Sequence, residues 1–274
     1  KMTINCKGTL VDVSSPKVMG VLNITPDSFF DGGRYKNDTQ ILSQVEKMLT
    51  EGATFIDVGA YSSKPGAIHI SEDEELKRMV PVIDLLLKKF PEIILSIDTF
   101  RSKVAQETIH TGAAIINDIS GGKMDNNMFA TVANLKVPYI LMHMQGTPQN
   151  MQQNPIYEDV TKEIIFFFAE QIRKLQQLMV NDIIIDVGFG FGKTIDHNFE
   201  ILKNLELFKS LDTPILAGIS RKSMLYKTLD ISAQEALNAT TSANTIVLLN
   251  GAHILRVHDV KEAMEAVKIV SQVL

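Results

Sequence analysis

The sequence predicts an α/β fold, a (β/α)8 TIM barrel with a short hairpin ahead of it, and three observations carry that expectation. Eight short apolar, β-branched runs recur along the 274 residues. Eight amphipathic stretches of helical spacing alternate with them, which is the signature of parallel βα units. The spacing is even and no linker divides the chain, so a closed barrel is favoured over a doubly wound sheet with a separate substrate lobe. Residues 1–274 are therefore read as one domain, with 1–16 as an N-terminal hairpin extension.

The opening TINCKGTLVDV (3–13) suits a small hairpin covering the barrel floor. The first barrel strand is VMGVL (18–22), followed by a helix over 39–51. TFIDVG (54–59) leads to a helix over 71–90, which Ser71 and Glu74 open in the manner of a capping box. IILSID (93–98) precedes a helix over 101–111, and AAIIND (113–118) one over 126–136. PYILMH (138–143) precedes 157–180, and DIIIDVG (182–188) precedes 197–210. PILAGIS (214–220) leads to 232–249, and AHILRVH (252–258) to 259–273.

A net charge of −5 leaves no basic footprint for nucleic acid, although one pocket can still gather an anion. Cys6 is the only cysteine, which excludes an internal disulfide and a cysteine-rich metal site. No apolar run approaches the length of a membrane span and no signal peptide is read at the start, so a cytoplasmic location is expected. The apolar run IIFFF (164–168) serves the core or a homodimer interface, and a homodimer is the expected assembly.

In a βα barrel the site forms at the C-terminal ends of the strands. The strand ends here carry Asp57, Asp98, Asn117, His143, Asp186 and His258. Each alone reads more simply as a cap or a core residue, but independent caps need not converge on one mouth. Residues two apart on a strand share a face, so the simplest arrangement aims Asp98, Asn117, Asp186, Arg256 and His258 into the mouth. Carboxylates and an amide there suit a planar, donor-rich ring, while arginine and histidine suit an anion. SRKS (220–223) follows the seventh strand, and cations at a helix start are disfavoured by the dipole, so Arg221 and Lys222 are read as part of an anion site.

DVGFGFGKT (186–194) invites two nucleotide readings, and both fail. A phosphate loop needs glycine where Val187 stands, and the dinucleotide fingerprint needs a different glycine spacing. The stretch is read instead as a flexible loop letting backbone approach a ligand. GAYSSKPG (59–66), taken alone, is an exposed turn. NITPDSFFDGG (23–33) is too long for a hairpin turn and lies between a buried strand and a helix, so it is a long loop of functional type.

Together NITPDSFFDGG, SIDTFR, NDISGG, DVGFGFGK, SRKS and RVHD resemble, in order, the motifs of the dihydropteroate synthase family over roughly residues 17–265. The resemblance implies condensation of 6-hydroxymethyl-7,8-dihydropterin diphosphate with p-aminobenzoate, giving 7,8-dihydropteroate and pyrophosphate with magnesium present. It implies that Asp98, Asn117, Asp186 and Lys222 hold the pterin. Asn23, Ser63, Lys64, Arg256 and His258 would hold pyrophosphate, with Asn23 also the metal ligand. Phe29, Ser63, Pro65, Phe191 and Ser223 would enclose p-aminobenzoate, the site where sulfonamides compete. Asn23, Lys222, Arg256 and His258 would be the catalytic residues. The 23–33 stretch becomes a mobile lid, with Asp27 and Asp31 carrying charge over the site and Phe29 walling the amine pocket.

Two positions depart from the family pattern. Ser63-Lys64 stands where Thr-Arg is usual, keeping the charge but losing a bidentate fork. Val187 stands where proline is usual. A methyltetrahydrofolate methyltransferase domain would share the ring-binding acids but lack the lid motif and the SRKS and RVHD cluster. A non-catalytic pterin-binding protein would have no need of Asn23, Lys222, Arg256 and His258.

Overall fold

The computed structural model describes residues 2–24, 38–64 and 67–274. A two-stranded antiparallel hairpin comes first, β1 (Thr3–Cys6) and β2 (Thr9–Asp12). The barrel strands are β3 (Lys17–Asn23), β4 (Phe55–Gly59), β5 (Leu95–Asp98), β6 (Ile115–Asp118), β7 (Tyr139–Met142), β8 (Ile183–Asp186), β9 (Ile215–Ala217) and β10 (Ile254–Val257). All pair in parallel in chain order, and β10 closes the ring by pairing with both β9 and β3. The helices are α1 (Asp38–Thr50), α2 (Glu72–Lys89), α3 (Ser102–Thr111), α4 (Met128–Leu135), α5 (Val160–Gln177), α6 (Ile195–Lys203), α7 (Ser223–Thr228), α8 (Leu237–Leu249) and α9 (Val260–Val270).

Local chemistry explains the boundaries. The Ser71 hydroxyl accepts the Glu74 amide at 3.1 Å and starts α2, as its spacing predicts. The stretch expected as one helix over 197–210 breaks at Asn204, beyond which Leu205–Leu211 continues as 3-10 helix. The single helix expected over 232–249 is likewise α8 preceded by a 3-10 turn, Ala233–Glu235, which Ser232 and Glu235 cap reciprocally. The six-residue α7 is too short to leave a periodic signal and goes unpredicted.

Each barrel strand is buried on both faces, so its sequence is a continuous apolar run rather than an alternating one. Inward-facing Met19, Phe55, Ile115, Ile140, Ile184, Leu216 and Ile254 pack with Ile4, Cys6, Val11 and Val13 of the hairpin. The hairpin therefore plugs the barrel floor. The Asn5 amide donates to Asp182 Oδ2 at 2.8 Å and Lys7 Nζ to the Ile109 carbonyl at 2.6 Å, holding it there. Of the IIFFF run on α5, Ile164 and Phe168 are buried in the helix–barrel core, and Phe166 is exposed.

Candidate active site

Register assigns the inward face above that floor. Asn23 lies beside Gly59, Gly59 beside Asp98, and Asp98 beside Asn117. Met142 lies beside Asp186, and Arg256 beside Met19. Paired neighbours of a barrel share a face, so Asn23, Asp98, Asn117, Asp186 and Arg256 all point into the mouth. A Cβ built on Gly59 would come within 3.2 Å of the Asp98 carboxyl, so the missing side chain makes room for that acid.

The centre of the mouth is an ion network. Arg256 Nε donates to Asp57 Oδ2 at 2.8 Å, and its Nη2 stands 3.4 Å from Asp98 Oδ2. Asn117 Nδ2 donates to the same Asp57 oxygen at 3.1 Å, which leaves Asn117 Oδ1 and Asp57 Oδ1 buried without a protein partner. Asp57 is the residue that sequence parity left out of the mouth. It shares a face with Gly59, and only the pairing of Gly59 with Asp98 reveals that this face is the inner one.

Burial, and then the Asp57 charge, push the Asp98 pKa up to about 8, against the pull of Arg256. Burial raises Asp186 too, opposed by Lys222 and by the Gly188 amide, which donates to Asp186 Oδ1 at 2.9 Å. Burial lowers Lys222 to about 8, with Asp186 opposing the shift. Burial also works against the Arg256 charge, but the Asp57 and Asp98 carboxylates outweigh it and hold that pKa above its ordinary value. Lys222 Nζ donates to the Phe189 carbonyl and sits 4.6 Å over the Phe191 ring, with Ser223 next to it as the first residue of α7.

His258 follows β10 and keeps a water-facing edge. The protein packed around it, then the Arg256 charge, lower its pKa toward about 4, a shift that the exposed edge limits. Ser220 Oγ accepts the His258 amide at 3.2 Å and lies 2.8 Å from Nδ1.

Two expectations change, for Arg221 and for the loop after β8, while His143 takes the core reading that its sequence left open. Arg221 is not an anion ligand: its guanidinium grips Asp259 at 2.8 and 3.1 Å and the Ala233 and Gln234 carbonyls at 2.8 and 2.7 Å. Its backbone is left-handed, at φ 54°. His143 faces the helix layer, edge-on to Phe167 at 5.1 Å, because β7 presents Ile140 and Met142 inward. The loop after β8 is pinned rather than flexible. Buried Lys193 donates to the Gly188, Phe191 and His143 carbonyls at 2.9, 2.9 and 3.3 Å. Phe29 and Pro65, with Asp27 and Asp31, lie outside the described residues, while Ser63 is half-buried and Lys64 exposed.

A model of the pterin binding enzyme family matches residues 19–258. The chain belongs to the pterin-binding enzyme family. Dihydropteroate synthase of Escherichia coli K12 is 41% identical over 275 residues, covering 100% of this chain and 97% of that protein. A sulfonamide complex of Yersinia pestis dihydropteroate synthase superposes with a TM-score of 0.94 at 41% identity, covering 99% of each chain. The Xanthomonas albilineans enzyme in complex with 7,8-dihydropteroate gives 0.88 at 31% identity, with 99% of this chain and 98% of that one covered.

Proposed function

We infer that the chain catalyses the dihydropteroate synthase reaction by displacing pyrophosphate from the pterin methylene with the amine of p-aminobenzoate. The observation that carries this reading is the mouth itself, which gathers the acceptors Asp98, Asn117 and Asp186 with the cations Arg256 and Lys222. Asp98, Asp186 and Asn117 Oδ1 accept from the amino and N–H edge of the pterin, with Lys222 against the ring. Arg256, whose Nη1 makes no bond among the described residues, turns that group toward the leaving anion beside the His258 ring. Both are electrostatic stabilisers of charge that grows as the C–O bond breaks.

The amine nitrogen forms the new C–N bond and releases its proton to solvent or to departing pyrophosphate. No protein nucleophile takes part. Lys222, near its midpoint around pH 8, puts positive charge beside Asp186 below that pH and loses it above. Phe191, Ser223 and Ser63 line the amine pocket, where a sulfonamide competes with p-aminobenzoate. Lys64, with Ser63 and Asn23, draws the diphosphate to the rim.

Magnesium fits the donors present. Among the described residues no three His, Cys, Asp or Glu side chains gather. Asn23, on the inward face at the end of β3, has one amide oxygen to offer, and magnesium takes few protein oxygens when substrate phosphates complete its shell. Asn23 would hold the ion, which when bound neutralises pyrophosphate charge. No helix among the described residues is long and apolar enough to cross a membrane. Homodimerisation rests on exposed Ile246 and Leu249 of α8 and Ile269 of α9, and light scattering decides it.

The ring-binding half is tested by calorimetry with a pterin analogue. Asp186→Asn is expected to weaken binding by about 1–3 kcal/mol, because an acceptor is traded for a group that can present a donor. Unchanged affinity in the folded variant removes Asp186 from the pterin site.

A further inference from the structure

Beside the mouth lies a polar cluster that the reaction does not use. Tyr61, two residues beyond β4, is buried, with its ring edge-on to Phe100 at a centroid distance of 5.0 Å. Its hydroxyl lies 2.7 Å from His69 Nδ1 and accepts from Gln149 Nε2 at 2.7 Å. The far nitrogen of His69, Nε2, stands 3.3 Å from Arg101 Nη2. Arginine can only donate, so Nε2 accepts, and the ring proton sits on Nδ1 and points at the Tyr61 oxygen. Arg101 is itself fixed by buried Glu75 at 2.9 Å and by the Ile70 carbonyl at 2.7 Å. The imidazole is thus held at both nitrogens, and with Tyr61 it closes a clasp across the eight-residue step that carries Ser63 and Lys64.

Gln149 brings in a second element, the loop after β7. That loop is braced internally: the Gln145 side chain and the Ile156 backbone exchange two hydrogen bonds at 2.9 and 3.0 Å. The Thr147 amide and hydroxyl both donate to Asn150 Oδ1, at 2.8 and 3.0 Å. Three residues past Gln149, Gln152 Nε2 donates to the Gly190 carbonyl, immediately before Phe191. A braced segment therefore spans from the clasp at Tyr61 to the wall that carries Phe191.

We propose that Tyr61, His69 and Gln149 are positioning residues for the amine substrate: they fix Ser63 and Lys64 and tie them, through the loop after β7, to the Phe191 wall. The inference rests on the reading of Ser63 and Phe191 as opposite sides of the p-aminobenzoate pocket. None of the three touches a reacting atom. Their effect falls on the distance between the two walls, and the pterin pocket deeper in the barrel does not depend on them.

Steady-state kinetics on the full chain test this with four variants, Tyr61→Phe, Gln149→Ala, their double and Phe191→Ala, each checked for an unchanged melting profile. Tyr61→Phe keeps the ring and its packing, so it isolates the hydroxyl. Each of the first two is expected to raise KM for p-aminobenzoate roughly three- to tenfold, the size of one lost neutral hydrogen bond. KM for the pterin diphosphate should stay within about twofold, since a merely structural role would weaken both substrates together. The double is expected to match the worse single, because both remove the same Tyr61–Gln149 bond. A raised KM for p-aminobenzoate in Phe191→Ala, with no rise in either single variant, overturns the clasp and leaves the pocket reading standing. An unchanged KM in Phe191→Ala overturns that reading, and the clasp with it. Additive effects in the double, or equal weakening of both substrates, also overturn the clasp.

Discussion

Replacing Asp57 by asparagine removes the charge on which the mouth's arginine is seated. Its Oδ2 accepts from Arg256 Nε at 2.8 Å and Asn117 Nδ2 at 3.1 Å, and the side chain has no exposed surface. An amide oxygen in the Oδ2 position can still accept both, but it carries no net charge, so the bond to the guanidinium weakens, and the new NH2 is buried where Oδ1 has no protein partner. A hydrogen bond to a charged group is worth about 1.5–3 kcal/mol. Asp98, at 3.4 Å from Arg256, compensates only in part. A loss of about 2–3 kcal/mol in transition-state stabilisation lowers kcat/KM roughly 30- to 150-fold. Pyrophosphate release under subsaturating pterin diphosphate measures this, with a melting curve to confirm the fold. A second signature accompanies it. The Asp57 charge helps hold Asp98 up at about 8, so Asp57→Asn should move the Asp98 titration to lower pH. A folded variant with kcat/KM within threefold of the parent would refute the view that Asp57 seats the arginine.

Other predictions follow from the same geometry. Arg256→Lys should reduce turnover of the diphosphate substrate at least tenfold while leaving binding of an unphosphorylated pterin nearly intact, because an ammonium cannot make the planar fork; equal losses would place the arginine on the ring instead. Asp98→Asn should abolish most activity yet raise stability at pH 8 by about 1–2 kcal/mol. The sign follows from the raised pKa: between the unfolded value near 4 and the folded value near 8, the unfolded chain sheds a proton that the folded chain keeps, so the parent loses stability as pH rises. The variant's advantage should vanish at pH 4, and thermal melts across that window decide it. Gly188→Ala should destabilise by more than about 2 kcal/mol, since φ is +72° and the new Cβ would lie 2.0 Å from the His143 carbonyl oxygen; an unshifted melting temperature would contradict the described loop.

Much of the barrel is legible in the chain because parallel strands buried on both faces leave apolar runs, and all eight runs are strands. Asp98, Asn117, Asp186 and Arg256 are legible from parity within a strand. Asp57 is not, because its placement depends on which residue of β5 pairs with Gly59, and register is a property of two strands. Arg221 misleads for a similar reason. Its sequence neighbours suggest an anion site, but Asp259, 38 residues away, takes its guanidinium. Lys193 sits in a stretch that resembles nucleotide motifs, yet it spends its ammonium on three carbonyls of its own loop and of the β7 end. The Tyr61 clasp carries no motif, since it joins side chains from four separate segments.

The most direct measurement follows both products in one reaction: 7,8-dihydropteroate and pyrophosphate formed from 6-hydroxymethyl-7,8-dihydropterin diphosphate and p-aminobenzoate, for the parent and for Arg256→Lys. One pteroate per pyrophosphate in the parent, both suppressed together in the variant, is the outcome of displacement at a methylene whose leaving group the arginine receives. Pyrophosphate without pteroate in the parent, or a variant as fast as the parent, would contradict it.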